Sequence, residues 1–323
     1  MGALVPKPDN IRLAMLGMTE GNGHPYSWSA IFNGYDRDLM TRECPFAAIP
    51  QYLNRQPPDA LGIPGAQVTH ICCIGDGGFT AEHAARCSRI PNVVKKPADV
   101  IGAVDAVLIA TDKGWEHVER ARPFVEAGLP VFIDKPLCDS EPDLKTFHRW
   151  VREGRNILTS SGMRYAKEFM AVKSRLSEIG EPRFLVNTTP KSWERYGIHA
   201  AEGLYPILGP GYISVRNTGS SDRNIVHCKH RCGADVILVA SKDMYGGFCR
   251  LTAMGTRNTL NAACEDTFFA FKGQMMAFVN FLRTGNRPFP WSETVELMKI
   301  LIAGIRSRDE GGREVLLDEI RED

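Results

Sequence analysis

Four short apolar segments constrain the fold of this chain more than any other feature of its sequence. They are Ile11–Leu16, Val68–Ile74, Val104–Ala110 and Val131–Ile133, and a helical pattern follows each of the first three. Strands that are apolar on both faces and alternate with helices form a parallel sheet that helices cover on both sides. The sequence therefore predicts an α/β domain, to which Asn92–Val94 adds a short edge strand.

The second half of the chain has a different pattern. A helical segment, Glu141–Arg152, leads to a short strand, Ile157–Ser160, and we place the domain boundary near Ser161. Beyond it, strand candidates follow one another with few helices between them, which indicates a largely antiparallel sheet. These candidates are Arg183–Thr189, Ile213–Asn217, Ile225–Lys229, Val236–Ser241 and Gly247–Met254.

Two domains are therefore predicted, an α/β domain over residues 1–160 and an α+β domain over residues 161–323. Helices are expected at Phe268–Thr284 and Trp291–Arg308, and Leu316–Ile320 is expected to return to the first domain. The stretch 33–67 interrupts the first domain with several prolines and aromatic residues. A stretch of this length is either a surface elaboration, such as an oligomer contact, or a flap over a ligand.

Length and composition exclude several classes of protein. The chain has 323 residues, of which 43% are hydrophobic and 24% charged, and its formal net charge is +1. This is the balance of a globular protein, with no global field that attracts nucleic acid or anionic membranes. The first residues lack the apolar core of a secretory signal, and nine scattered cysteines indicate reduced thiols. We therefore predict a cytoplasmic protein without nucleic-acid or membrane partners.

The first strand runs into a glycine-rich turn, Gly17-Met-Thr19-Glu-Gly21-Asn22-Gly23-His24-Pro25. Glycines let a backbone approach a pyrophosphate, and the helix that follows offers free N–H groups and a positive dipole end. The spacing departs from G-x-G-x-x-G because Thr19 occupies the second glycine position. We interpret the turn as the phosphate loop of a Rossmann domain, with cofactor-binding candidates Gly17, Thr19, Gly21, Asn22, Gly23 and His24.

An acidic residue after the second strand would accept hydrogen bonds from an adenosine ribose and repel a 2′-phosphate. Asp76 is the candidate, although it lies two residues beyond the apolar run. An ordinary turn aspartate before Gly77-Gly78 is the alternative interpretation. Because no basic residue stands beside Asp76, the sequence favours NAD over NADP without excluding NADP.

A more specific signal comes from the third and fourth strands. Asp105-Ala-Val-Leu-Ile-Ala-Thr111 is followed by His117, Glu126-Ala-Gly128 and Asp134-Lys135-Pro136-Leu137. This succession resembles the glucose–fructose oxidoreductase/inositol dehydrogenase (Gfo/Idh/MocA) family, with Asp134 in place of the family's usual glutamate. Later segments fit the same family: Gly180-Glu-Pro-Arg-Phe, Gly197-Ile-His199 with Glu202, and Phe289-Pro290.

The resemblance implies a catalytic role for Lys135, at the end of a strand beside the nicotinamide. Its ammonium group would stabilise negative charge on a substrate oxygen. The resemblance also implies that Pro136 sits in a cis peptide bond, and that His199 is the general base, with Glu202 orienting its imidazole. Thr111, His117, Asp134 and Pro136 are further cofactor-binding candidates.

The sequence departs from the family where an acid usually precedes the histidine by four residues, because Arg195 stands there. A guanidinium cannot accept a proton from the histidine. It either holds an anionic substrate, such as a sugar acid, or marks altered or lost chemistry. Trp193, with Lys191 and Tyr196, is expected to line the same pocket, although Trp193 could equally be core. Arg164 and Tyr165 are further candidates for substrate binding.

The segment His227-Cys228-Lys229-His230-Arg231-Cys232 looks like a metal site, but four ligands cannot wrap one zinc ion from so short a strand. We predict no metal. The favoured function is an oxidoreductase that moves hydride between NAD(P) and a secondary hydroxyl of a sugar, inositol or sugar acid. A cofactor-binding sensor without turnover and an NAD-dependent glycoside-cleaving enzyme are the alternatives. The family resemblance also implies a homo-oligomer.

Overall fold

The computed structural model describes residues 2–74, 80–244 and 248–323. The chain divides into two compact units, each made of three segments. The first unit comprises Met1–Asp134, Trp150–Thr159 and Phe271–Pro288, and the second comprises Lys135–Arg149, Ser160–Ala270 and Phe289–Asp323.

Among the described residues, the first unit contains a parallel sheet with the strand order β3-β2-β1-β4-β5-β6. Its strands are β1 (Ile11–Leu16), β2 (Ala66–Cys72), β3 (Asn92–Val93), β4 (Ala106–Ile109), β5 (Val131–Ile133) and β6 (Ile157–Thr159). The helices of this part of the chain are α1 (His24–Asn33), α2 (Arg37–Glu43), α3 (Ala48–Leu53), α4 (Ala81–Cys87) and α5 (His117–Glu126).

This order is that of a Rossmann fold, and it confirms the predicted parallel α/β sheet. The central strands are buried on both faces, as their apolar runs require: every residue of β4, β5 and β6 is buried. The order reverses between β1 and β4. Ligands of such sheets bind at this reversal, outside the carboxyl ends of the strands.

The proline-rich stretch 33–67 is not a structureless loop, because α2, α3 and a short 3-10 turn at Pro58–Ala60 lie within it. Its apolar side chains Leu39, Met40, Ile49 and Leu53 are buried. Asp36 caps α2 by accepting a hydrogen bond from the Leu39 N–H at 2.9 Å. The stretch is therefore an ordered helical insertion. Burial of these side chains explains why a chain with so many prolines keeps one conformation.

The second unit contains a largely antiparallel sheet with the strand order β12-β11-β7-β10-β9-β8-β13. Its strands are β7 (Pro182–Pro190), β8 (Tyr212–Asn217), β9 (Arg223–His230), β10 (Asp235–Ser241), β11 (Arg250–Gly255), β12 (Thr259–Ala263) and β13 (Val315–Leu316). Among the described pairs, only β7 and β10 run parallel. The remaining helices are α6 (Glu141–Arg152), α7 (Lys167–Ser174), α8 (Ile198–Leu208), α9 (Thr267–Thr284) and α10 (Trp291–Asp309).

The end of the chain corrects one expectation. The segment Leu316–Ile320 was predicted to return to the first domain, but β13 pairs with β8 of the second sheet. It is α9 that contributes to the first unit, through the segment that begins at Phe271. A two-residue strand carries no periodicity from which its partner could be predicted. The predicted strand Gly247–Met254 starts at a residue outside the described part of the chain, and β11 begins at Arg250.

No helix in the described ranges combines the length and the apolar character that a membrane span needs.

Candidate active site

The glycine turn after β1 lies against the end of β4. Gly17 has φ +79°, which favours glycine, and a Cβ at this position would approach Thr111 Cγ2 to 2.7 Å. Thr19 closes the turn, since its carbonyl accepts the Asn22 N–H at 2.9 Å. The turn keeps a positive φ at Gly21 as well. The glycines therefore let the backbone of this loop pack closely against its neighbours, as a phosphate loop requires.

Asp134 joins the end of β5 to the start of α1. Its Oδ2 accepts hydrogen bonds from Asn22 Nδ2 and His24 Nδ1, each at 2.9 Å, and the residue is fully buried. A carboxylate only accepts, so the His24 Nδ1 carries the proton. His24 also stacks on Trp28 with the ring centroids 4.1 Å apart. Three predicted cofactor-binding residues thus meet in one buried network.

The end of β4 is fixed in a similar way. His117, at the start of α5, is buried, and its Nε2 lies 2.9 Å from the Thr111 carbonyl oxygen. This contact requires Nε2 to be the protonated donor. The Asp112 N–H is 3.4 Å from Thr19 Oγ1, which links this loop to the glycine turn. Thr111 and His117 therefore shape the edge of the predicted cofactor site.

The helical insertion packs directly on the glycine turn. A Cβ at Gly23 would approach Ile49 Cδ1 to 2.5 Å and Phe46 Cδ2 to 2.6 Å. Tyr52 Oη donates a short hydrogen bond to Ser27 Oγ on α1. The glycine at position 23 is thus required by the insertion, and this contact gives a physical reason for the unusual spacing of the loop.

Asp76, the predicted ribose-binding residue, lies outside the described residues. Pro136 follows Lys135 through a cis peptide bond, as the family resemblance implied.

A second group of predicted residues assembles around Tyr196 in the second unit. The Lys135 Nζ lies 4.6 Å from the centroid of the Tyr196 ring, and the His199 ring meets the same ring edge-on at 4.8 Å. Lys135, Tyr196 and His199 are buried, with exposed fractions of 2%, 6% and 1%. The Phe248 ring also packs against His199, at 4.5 Å. Lys135 and His199 therefore share one aromatic neighbour.

Tyr196 has a second cationic neighbour. The Lys191 Nζ lies 2.6 Å from Tyr196 Oη and 4.2 Å from the ring centroid. Lys191 has a φ of +68°, a left-handed conformation that is uncommon for residues other than glycine. The phenol is therefore held between two lysine side chains.

Ser161 links His199 to Glu202. Its Nδ1 lies 2.7 Å from Ser161 Oγ, whereas Glu202 accepts hydrogen bonds from the Ser161 N–H at 2.6 Å and from Arg164 Nε at 2.7 Å. Glu202 is thus linked to His199 through Ser161, whose N–H it accepts and whose hydroxyl meets the imidazole. A carboxylate that is almost fully buried needs a cationic partner and strong donors, and Arg164 and the Ser161 amide supply them.

Arg164 bridges two carboxylates. It bonds Glu202 at 2.7 Å and Glu293 at 2.8 Å, and its guanidinium lies 3.9 Å from the centroid of the Phe289 ring. Burial by itself lowers the pKa of Arg164, but the two carboxylates outweigh burial and raise it above its ordinary value. This arrangement makes Arg164 a clamp within the second unit. Its neighbour Tyr165 has a pKa raised to about 12 by burial.

Trp193 and Arg195 belong to a π-helical turn, Trp193–Gly197, that precedes α8. The Trp193 indole is buried and donates a hydrogen bond to the Leu301 carbonyl at 2.9 Å. These contacts favour the core interpretation of Trp193 over direct substrate contact. The same turn places Arg195 one residue before Tyr196.

Within residues 2–74, 80–244 and 248–323, no three His, Cys, Asp or Glu side chains come together as metal ligands. In the segment that resembled a metal site, His227 pairs with Asp235 at 2.6 Å, whereas Cys228 is buried on the other face of β9. The Nδ1 atom of His230 lies 3.0 Å from the Cys232 Sγ.

Ser161 and Glu293 are two residues of this cluster that sequence analysis missed. Ser161 follows β6, and its only local signal is a hydroxyl that accepts the Met163 N–H at 3.0 Å. Glu293 lies 129 positions from Arg164 in the chain. Neither spacing nor periodicity predicts contacts over such separations.

Comparisons with known proteins show which proteins this chain resembles. Residues 51–161 match the model of the oxidoreductase family GFO_IDH_MocA, described as an NAD-binding Rossmann fold. The glycine turn lies before the matched residues. The chain is 25% identical over 190 residues to the inositol 2-dehydrogenase of Serratia proteamaculans, with 46% of this chain and 56% of that protein covered. The chain spans between 27% and 56% of the length of the curated relatives it matches.

Solved structures share the fold over almost the whole chain. A myo-inositol 2-dehydrogenase from Lactobacillus plantarum has a TM-score of 0.73 at 14% identity, with 95% of this chain and 99% of that chain covered. A scyllo-inositol dehydrogenase from Lactobacillus casei, solved with bound NAD(H) and scyllo-inositol, has a TM-score of 0.72 at 13% identity, with 96% and 99% covered. At these identities the likeness concerns the fold alone.

Proposed function

Because this chain belongs to the Gfo/Idh/MocA family of oxidoreductases, whose Rossmann domain binds NAD, we propose that it oxidises a secondary hydroxyl of a sugar, inositol or sugar acid. The observation that carries the proposal is the cluster of Lys135, Tyr196 and His199. It begins at the residue that directly follows Asp134, the anchor of the glycine turn.

The first unit fits a dinucleotide at the reversal of its sheet. Gly17 leaves no room for a Cβ, and α1 begins at His24 without a side-chain cap. A loop of this kind, followed by a helix N-terminus, suits a pyrophosphate. We assign cofactor binding to the first unit and substrate binding to the second. When bound, NAD supplies an acceptor for the hydride.

Lys135 and His199 are proposed to contact the reacting hydroxyl oxygen. An ammonium group that is almost fully buried stabilises negative charge on that oxygen far better than it would in water. The imidazole is held in place through Ser161, whose N–H is in turn bound by Glu202. The second unit therefore provides an imidazole that is held by buried hydrogen bonds and an ammonium group that lies against the Tyr196 ring.

The proposal is tested by measuring NADH formation by the purified chain with myo-inositol, scyllo-inositol, D-glucose and D-glucuronate. Lys135→Met should lower kcat by roughly 10²- to 10³-fold, the cost of removing one donor to a developing oxyanion. NADH binding, followed by fluorescence, should remain within a few-fold. Lys95→Met, at an exposed lysine of the first unit, is the matched control.

Failure of the wild-type protein to form NADH with every probe, although it binds NADH, would favour the sensor without turnover. Release of a free sugar from a glycoside without net NADH would favour glycoside cleavage. Equal rates for Lys135→Met and Lys95→Met would remove Lys135 from the site.

NAD is preferred to NADP in this proposal because of Asp76, whose carboxylate would repel a 2′-phosphate. Asp76→Ala should lower the ratio of the dissociation constant for NADP to the dissociation constant for NAD. An unchanged ratio would show that another residue selects the cofactor.

The open face of the second sheet supports a homo-oligomer. Ile213, Ile225 and Leu316 are about half exposed, at 50%, 48% and 51%, and Phe184 is 36% exposed. The strands that carry Ile225, Ile213 and Leu316, which are β9, β8 and β13, are neighbours in the sheet. Phe184 lies on β7, which is separated from β9 by β10. Large apolar groups rarely stand together on the surface of a monomer. We propose that a second copy of the chain covers this face.

All nine cysteines are free thiols. Thiols that stay reduced are typical of proteins in the cytoplasm. We therefore keep a cytoplasmic location as part of the proposal.

A further inference from the structure

The hydrogen bonds of Ser161 and the contacts of Tyr196 identify the group that exchanges the proton, an inference that rests on the proposed function. We propose that Tyr196, held by Lys191, exchanges the proton with the substrate hydroxyl, and that His199 acts as a hydrogen-bond donor. The sequence had suggested His199 as the general base.

The tautomer of His199 follows from the Ser161 hydroxyl. Ser161 Oγ accepts the Met163 N–H at 3.0 Å and lies 2.7 Å from His199 Nδ1. Ser161 is fully buried, and among the described residues His199 Nδ1 is the acceptor available to its O–H. A buried hydroxyl without an acceptor would be costly, by about 1–3 kcal/mol. Ser161 therefore donates to Nδ1.

A neutral imidazole that accepts at Nδ1 carries its proton on Nε2. Nε2 is then a donor and has no lone pair that could take up a proton. His199 can stabilise a substrate oxygen in this state, but it cannot take the hydroxyl proton. The base must be another group in the cluster.

Tyr196 is the group with the required contacts. The Lys191 ammonium has only protons to donate, so the Tyr196 oxygen accepts at 2.6 Å and the phenol proton points elsewhere. Negative charge formed on this oxygen would lie beside the Lys191 ammonium group, and the Lys135 ammonium group lies 4.6 Å from the centroid of the same ring. In the part of the chain that the structure describes, the charged or titratable groups recorded against the phenol are Lys135, Lys191 and His199, and Arg195 precedes it in the chain.

Two features of the backbone support a functional origin for the pair. Lys191 keeps a left-handed φ of +68°, which costs a residue other than glycine about 1–3 kcal/mol. Tyr196 lies in a π-helical turn, a rare element that often marks functional sites. The same turn carries Arg195 where the family has an acid, so the tyrosine supplies the proton acceptor that the motif has lost.

The proton and electron balance is complete. In oxidation the substrate C–H bond breaks with its electron pair passing to NAD as hydride, and the O–H proton passes to the Tyr196 phenolate as the C=O bond forms. In reduction the neutral phenol returns its proton to the substrate oxygen, and the phenolate charge is balanced by Lys191.

The experiment compares Tyr196→Phe with His199→Gln, using whichever of the four probes the wild-type protein oxidises fastest. Tyr196→Phe should lower kcat by roughly 10²- to 10³-fold and remove the pH-dependent limb of kcat/KM. His199→Gln keeps an N–H donor, so it should lose about tenfold or less and retain that limb. Lys191→Met should resemble Tyr196→Phe, with partial recovery in Lys191→Arg.

Tyr35→Phe is the matched control, because it removes a phenol of the first unit that donates a hydrogen bond to Asn54 Oδ1. NADH binding and thermal melting of each variant show that it folds. A kcat of Tyr196→Phe within threefold of the kcat of Tyr35→Phe overturns this inference and leaves the proposed function standing. The inference is also overturned if His199→Gln loses the pH dependence of kcat/KM and Tyr196→Phe keeps it. No turnover by the wild-type protein with any probe overturns the proposed function, and this inference with it.

Discussion

Asp139 shows how burial acts on a single carboxyl group in this fold. Burial, followed by the negative charges of Asp143 and Glu194, raises its pKa to about 6. The folded protein thus holds this proton more tightly than the unfolded chain does. Its effect on stability is therefore favourable at low pH and is lost as the pH rises from about 4 to about 6.

Asp139→Asn should accordingly stabilise the protein at pH 8, by roughly 2–4 °C in melting temperature, and give no gain at pH 4. Differential scanning calorimetry at both pH values measures this. Asp59→Asn, on the exposed surface of the insertion, is the control and should not shift the melting temperature at either pH. A gain of equal size at pH 4 and pH 8 would show that the carboxyl charge is not the cause.

At the scale of residues, the sequence predicted which side chains belong to the candidate site better than it predicted the contacts that they make. Lys135, His199 and Asp134 were found from local motifs because each follows a strand or opens a helix. Lys191 and Tyr196 were expected to line the substrate pocket, but their contacts with Lys135 and His199 were not predicted, and Ser161 was not assigned at all, since contacts across the second unit have no local signature. The hydrogen bonds of Glu202 with Arg164 and the Ser161 amide were not predicted, because helical spacing predicts a shared face and nothing about competing cations.

At the scale of elements, Trp193 fixes the π-helical turn against α10. A Cβ at Gly304 would approach Trp193 Nε1 to 2.6 Å, and a Cβ at Gly197 would approach its Cε3 to 2.4 Å. Both glycines therefore leave room for the indole, and the turn that carries Tyr196 is held by this contact.

Gly304→Ala should destabilise the protein by about 1–3 kcal/mol, although alanine has the higher helix propensity. Urea unfolding measures the free energy. Trp193→Phe shortens the ring and should reduce the cost of Gly304→Ala in the double variant, which is read as a double-mutant cycle. Additive effects of the two substitutions would mean that the alanine methyl group does not meet the indole.

Element types were predicted best where periodicity was strong. β1 and α6 have the predicted bounds. The short helices α2 and α3 were missed, because proline and aromatic content masked two brief helical segments. α7 and β12 were also missed, being short elements between stronger patterns.

At the scale of the whole molecule, the open face of the second sheet provides a test of assembly. Ile225→Arg places a charge among the exposed apolar side chains of this face and should shift the protein to a smaller species in sedimentation velocity. Ile101→Arg, at a residue of the first unit that is 42% exposed, should leave the sedimentation coefficient unchanged. A wild-type protein that sediments as a monomer at micromolar concentration would refute the proposed assembly.

The sequence by itself determined the class of fold, the glycine turn and the resemblance to a family, because apolar periodicity and short motifs are local properties. Only the tertiary structure decided which groups surround the phenol of Tyr196, that the insertion presses on Gly23, and that β13 joins the second sheet. These are contacts between distant parts of the chain. They depend on how buried polar groups compete for partners, and no local pattern records the outcome of that competition.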